Sequence, residues 1–218
     1  MPGEQCQRIG HGGASALAPA NTLDSFDAAV GVGVDMVEFD VRARGRQLVL
    51  AHSPLDLHRR DCLTLTAALA HLSLPRFHGV GINLDVKHVG CEAALLEALG
   101  HRNLRDRALV SSQVSGVLDR IRTRDEQVLT GISIGGRLAR FSRRWADWRG
   151  QVLAGLATRR WDALMAQHRL IDPELLAAIR DRDGRLYAWT VNDRANIESL
   201  RGLGVDGITS ADPRLFAA

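Results

Sequence analysis

Short apolar runs alternate with helical patterns from one end of the chain to the other. Those short apolar runs predict strands near 7–11 ("QRIGH"), 36–42, 47–52 ("QLVLAH"), 81–87 ("GINLDVK"), 107–112 ("RALVSS"), 127–134 ("QVLTGISI"), 163–168 ("ALMAQH"), 185–191 ("RLYAWTV") and 206–209 ("DGIT"). Helical spacing fills the gaps at 22–32 behind Asn21 as N-cap, 64–72, 91–100, 115–123, 172–182 with Pro173 in the first turn, and 194–202. Strand-then-helix order, repeated, predicts parallel strands joined by right-handed crossovers. If "MVEFDVR" and "QLVLAH" form one hairpin-like excursion, eight barrel strands remain, and the expected fold is a single α/β domain over 1–218, a TIM (β/α)8 barrel. The rival, an open doubly wound sheet, expects a Gly-rich phosphate loop after the first strand, and "HGGASA" lacks that spacing.

One strand breaks the apolar pattern. In "DMVEFDV", residues 35–41, alternation puts Val37, Phe39 and Val41 on one face and Glu38 and Asp40 on the other. Burying unpaired carboxylates costs on the order of several kcal/mol each, so a cation, an arginine or water in an open cleft must compensate.

Composition narrows the classes. Hydrophobic content of 45% and charged content of 24% match a packed globular domain, and no apolar run is long enough to span a bilayer. "MPGEQCQRIG" lacks the basic and apolar regions of a signal peptide, which leaves a cytoplasmic enzyme as the expectation. Cys6, Cys62 and Cys91 are scattered and odd in number, giving neither a disulfide framework nor a zinc spacing. A formal charge of +3 comes from arginines spread along the chain, so no nucleic-acid stripe is expected. Lys87 is the one lysine in the sequence.

Parallel barrels carry their chemistry at the C-terminal ends of strands. His11, Glu38, Asp40, His52, Asp85, Lys87 and Trp189 all fall at or near such ends. Glu38, Asp40 and Asp85 offer oxygen ligands to a hard divalent cation, Mg²⁺ or Ca²⁺. His11 and His52 supply a proton donor and acceptor near neutral pH, and Lys87, on the same strand face as Asp85, adds positive charge for an anion. A metal and a lysine on a phosphate, with two histidines moving protons, describe cleavage of a small-molecule phosphodiester.

The run "IGHGGASALAPANTLDSFDAAVGVGVDMVEFDVR", followed by "LVLAHSP", "LDVKH", "YAWTVND" and "GVDGITSADP", resembles the glycerophosphodiester phosphodiesterases over essentially the whole chain. The resemblance implies a TIM barrel, a divalent metal on Glu38, Asp40 and Asp85, acid/base roles for His11 and His52, Lys87 on the phosphate and Trp189 at the pocket wall. It implies hydrolysis of glycerophosphodiesters to an alcohol and glycerol 3-phosphate. Phospholipase D-like cleavage of lysophospholipids, and a phosphate-binding barrel without turnover, stand beside that reading. The pattern departs from the family at Gly12, where an arginine is usual, at Ala20 in "PANT", at Ser53 after the second histidine, and in a shortened insertion, "LDLHRRDCL".

A last segment, 137–161, carries Leu138, Phe141, Trp145, Trp148, Val152 and Leu156 at helical spacing with arginines between. It reads as a barrel-covering helix, as a basic, tryptophan-bearing surface for a lipid headgroup layer or pocket lid, or as a dimer contact.

Overall fold

In the computed structural model, which describes residues 6–58, 61–136 and 147–217, the strands fall where the apolar runs place them. They are β1 (Gln7–Gly10), β2 (Met36–Arg44), β3 (Gln47–Leu50), β4 (Gly81–Val86), β5 (Ala108–Ser112), β6 (Leu129–Ile134), β7 (Ala163–Gln167), β8 (Arg185–Trp189) and β9 (Gly207–Ser210). Helices α1 (Leu23–Val32), α2 (Leu65–Leu72), α3 (Glu92–Gly100), α4 (Ser115–Arg124), α5 (Trp148–Ala157), α6 (Pro173–Arg180) and α7 (Arg194–Leu203) pack around them. The sheet runs in the order β1-β9-β8-β7-β6-β5-β4-β2-β3, and a parallel β1–β2 pairing closes it. Among the described strands β3 alone is antiparallel, paired to the end of β2 from Val41↔Leu50 to Arg44↔Gln47, so the hairpin excursion is real and the other eight strands form the parallel barrel.

Alternation along β2 separates two apolar compartments. Val37, Phe39 and Val41 are fully buried against the helices, with the Phe39 ring 5.3 Å from that of Phe26 on α1. Each such side chain contributes about 1.5–3 kcal/mol of burial free energy. The inward face begins with Met36, which joins Ile9, Leu109, Ala163, Met165 and Tyr187 in a plug filling the lower barrel. Above that plug the inward positions turn polar.

The helix starts follow local chemistry. Asp172 and Asp193 cap α6 and α7 by accepting N–H bonds from Leu175 and Asn196. The cap of α1 is Thr22, not Asn21: Thr22 and Ser25 form a reciprocal capping box, while Asn21 takes a left-handed backbone, φ 63°. That frees the Asn21 side chain for another role. At the opposite end of the barrel, Asp35 accepts bonds from the Arg8 backbone and guanidinium at 2.8–2.9 Å, tying the starts of β1 and β2.

Of the 137–161 segment, residues 137–146 lie outside the described residues. The rest is barrel cover: Val152 and Leu156 of α5 are buried, Trp148 packs against the core, and Trp161 is 5% exposed.

Candidate functional site

Strand register brings the acids together. Cross-strand pairing sets Asp40 opposite Asp85 and Glu38 opposite Asn83, all pointing into the barrel mouth. One oxygen from each of Glu38, Asp40 and Asp85 lies within 4.8 Å of the others. Around them opens a cavity of about 260 Å³ lined by His11, His52, Lys87 and Trp189 as well. All seven side chains singled out in the sequence therefore face one space.

Each acid is held differently. Glu38, 6% exposed, accepts the Gly12 N–H at Oε2, 2.9 Å, a contact made by a backbone turn with φ +57°. Burial, with repulsion from Asp40 and Asp85, pushes its carboxyl well above the usual range. Asp40 is also buried, but Lys87 and Asn21 hold it below its ordinary value. Lys87 Nζ lies 2.6 Å from Asp40 Oδ1. Asn21 donates from Nδ2 to Asp40 Oδ2 at 2.9 Å and accepts the Asp40 N–H at 3.0 Å. Asp85 meets Lys87 Nζ at 2.5 Å through Oδ2, while its buried Oδ1 has no partner; burial raises its pKa despite the lysine. Burial works against the Lys87 charge, yet Asp85, Asp40 and Glu38 together raise its pKa.

This set fits a hard divalent cation on its own chemistry. The donors are all oxygen, close enough to share one ion, mutually repulsive without it, and one of them is orphaned.

Both histidines line the cavity with the acids. Burial lowers the His11 pKa, so its imidazole is neutral near neutral pH, and the residue is anchored by its backbone N–H, which donates to the Ser210 carbonyl at 2.9 Å. His52 is fixed through its backbone: its carbonyl accepts Arg42 Nε at 3.1 Å and Nη2 at 3.0 Å. Ser53, in place of an acid, donates through N–H and Oγ to Asp56 Oδ2 at 2.7 and 2.9 Å. Trp189 donates to the Met165 carbonyl at 2.9 Å, and its ring lies so close to Gly135 that a Cβ there would sit 2.7 Å from it.

Sequence reading missed the uncharged half of the cavity. Asn83, Ser111, Gln113, Ser133, Met165, Thr190 and Thr209 line it, mostly from β5–β9. Inward alternation from the charged positions was the available signal: Asp85 pairs with Ser111, and Ser133 with Met165. His88 is structural, accepting the Ala43 N–H at 3.0 Å, and His168 does not line the cavity.

The departures at Gly12 and Ala20 are neighbours. A Cβ at residue 12 would stand 2.9 Å from the Ala20 Cβ, so a larger side chain at 12 strains both the positive φ and that contact.

Comparison with known proteins gives a consistent picture. A family model described as the glycerophosphoryl diester phosphodiesterase family matches residues 11–59 and 83–215. Glycerophosphodiester phosphodiesterase GDPD4 of Arabidopsis thaliana is 28% identical over 244 residues, 94% of this chain and 70% of that protein. A glycerophosphodiester phosphodiesterase structure from Thermotoga maritima superposes with a TM-score of 0.78 at 22% identity, covering 97% of this chain and 96% of that one. A phosphodiesterase of Oleispira antarctica, solved with the product sn-glycerol-3-phosphate, gives a TM-score of 0.75 at 23% identity over 95% and 94% of the two chains. At these identities the two structures share the barrel fold.

Proposed function

The chain belongs to the glycerophosphoryl diester phosphodiesterase family, and from that premise we propose that it hydrolyses glycerophosphodiesters to an alcohol and glycerol 3-phosphate at the barrel-mouth cavity, with Glu38, Asp40 and Asp85 holding a Mg²⁺ or Ca²⁺ ion. The observation that carries this reading is the convergence of His11, Glu38, Asp40, His52, Asp85, Lys87 and Trp189 on one cavity from five separate stretches of chain. The bound ion supplies Lewis-acid stabilisation of phosphoryl charge. Lys87 adds a second positive charge for the phosphate. His11, kept neutral by burial, accepts the proton of the attacking hydroxyl or water. His52, held by Arg42, donates one to the leaving alkoxide. Trp189 and the uncharged wall receive the glycerol unit.

The compartment proposed is the cytoplasm, which suits three free thiols: Cys6, Cys62 and Cys91. Among the described residues no helix is long and apolar enough to cross a membrane. Nucleic acid is not a proposed partner, since Arg8, Arg76, Arg149 and Arg160 are each paired with a carboxylate rather than gathered into a stripe.

A second reading, cleavage of lysophospholipids, draws on the rim. Leu55, Val89 and Val114 are 79%, 43% and 39% exposed. Each follows a cavity-lining residue, His52, Lys87 or Gln113, by three residues or fewer. An acyl chain too long for the cavity would lie across them.

The test is release of alcohol from a panel of glycerophosphodiesters and lysophospholipids, with Mg²⁺, with Ca²⁺ and with EDTA. Metal-dependent turnover supports the first reading, and a preference for lysolipids the second. A folded protein inert on every substrate with either ion contradicts both.

A further inference from the structure

Two demands meet on the Lys87 ammonium. A phosphate in the cavity needs its charge, yet Nζ lies 2.6 Å from Asp40 Oδ1 and 2.5 Å from Asp85 Oδ2, with the lysine side chain only 17% exposed. Those two acids belong to the trio whose oxygens gather within 4.8 Å. A cation on the trio draws on the same carboxylates that the ammonium now bridges, and two positive charges at that range repel strongly in a partly buried site. The lysine stem is flexible, and the Lys87 head already lines the cavity. With Asp85 Oδ1 unpartnered, the ammonium also leaves the trio's charge incompletely answered.

We propose that Lys87 is an exchangeable counter-cation: it bridges Asp40 and Asp85 while no divalent ion is bound, and the arriving ion displaces it into the cavity, where it becomes the phosphate's ligand. The anion site is then assembled only after the cation is in place. This inference rests on the reading of the acid trio as the cation site. Its thermodynamic corollary is reciprocal coupling, because whatever factor Mg²⁺ adds to the affinity for a phosphomonoester, the phosphomonoester adds to the affinity for Mg²⁺.

The sequence makes this directly observable. Lys87 is the one lysine in the chain, so protein labelled with ¹⁵N-lysine gives a single side-chain ammonium signal in NMR. The wild-type protein is titrated with MgCl₂ after EDTA treatment, then with sn-glycerol 3-phosphate, and calorimetry on the same sample records binding. The expected result is a lysine signal that moves in step with the Mg²⁺ isotherm and moves again with glycerol 3-phosphate. Glycerol 3-phosphate is expected to bind at least tenfold more tightly with Mg²⁺ than in EDTA.

Mg²⁺ binding that leaves the lysine signal in place overturns the inference while leaving the cation site standing. So does glycerol 3-phosphate affinity equal with and without the ion. No Mg²⁺ binding at all overturns the cation site and the inference with it. A second measurement uses Lys87→Met, checked for folding by circular dichroism. Without phosphate it is expected to bind Mg²⁺ at least tenfold more tightly than wild type, because the competing charge is gone. Unchanged or weaker Mg²⁺ binding by the folded variant overturns the proposal.

Discussion

Replacing Glu38 by glutamine should make the metal-free protein more stable and the enzyme nearly inactive. The carboxyl is 6% exposed, and its Oε2 accepts the Gly12 N–H at 2.9 Å, a bond the glutamine carbonyl keeps. What changes is charge. At the 4.8 Å limit that bounds the trio, each ionised acid pair repels by about 3–4 kcal/mol at an effective dielectric of about 20. Lys87 offsets part of this, and proton uptake by Glu38 caps the remainder, leaving a gain of about 1–2 kcal/mol for the neutral variant. For a chain of this length that is about 3–6 °C in Tm.

The pH dependence has a definite sign. The Glu38 pKa is raised in the fold above its ordinary 4.5, so between those values the native state holds a proton that the unfolded chain has lost, and stability falls as pH rises. The advantage of Glu38→Gln is therefore absent near about pH 4 and fullest above the folded pKa. Thermal unfolding in EDTA at both ends of that range measures it, and kcat with Mg²⁺ or Ca²⁺ is expected to fall by about 10²-fold or more. A variant that melts below wild type at about pH 8, or keeps most of its activity, would refute the reasoning that function holds these acids in an unfavourable arrangement.

Three further outcomes follow from the site. His11→Ala should lower kcat by about 10²–10⁴-fold. Because burial places the wild-type imidazole below 6.5, the acid limb of kcat/KM should have its midpoint under that value; a limb centred well above it contradicts the assignment of His11 as base. Asn21→Gly keeps the left-handed backbone but removes both bonds to Asp40, so metal affinity, read by calorimetry, should drop by about 10–100-fold with little loss of Tm, whereas Asn21→Leu should lose both. Gly12→Ala should cost about 1–3 kcal/mol in urea unfolding through its φ of +57° and the Ala20 contact, and Ala20→Gly in the same chain should recover only the contact's share.

The barrel and the charged half of its site were readable because both follow simple periodicities. A two-residue alternation in "MVEFDVR" separates Val37, Phe39 and Val41 from Glu38 and Asp40, and the fold obeys it. Ionisable residues announce themselves by the cost of burying them; Ser111, Ser133 and Thr209 carry a far smaller cost and were marked only by inward alternation, though they line the same cavity. Asn21 was misread for a different reason. In "ANT" either Asn21 or Thr22 can cap the next helix, and only the long-range contact with Asp40, nineteen residues away, decides between them. Arg42 was similarly hidden, since a guanidinium that grips the His52 carbonyl looks like any other strand-end arginine. The Gly12 and Ala20 departures, which as sequence look like two separate losses, are neighbours in space, since a Cβ at residue 12 would meet that of Ala20.

The most direct test of the account is a ³¹P NMR time course of glycerophosphoethanolamine with the purified protein, once with Mg²⁺ or Ca²⁺ and once with EDTA. The account predicts a growing glycerol 3-phosphate signal with the ion and none with the chelator. Release of phosphoethanolamine, turnover that ignores EDTA, or no reaction from folded, ion-loaded protein would contradict it.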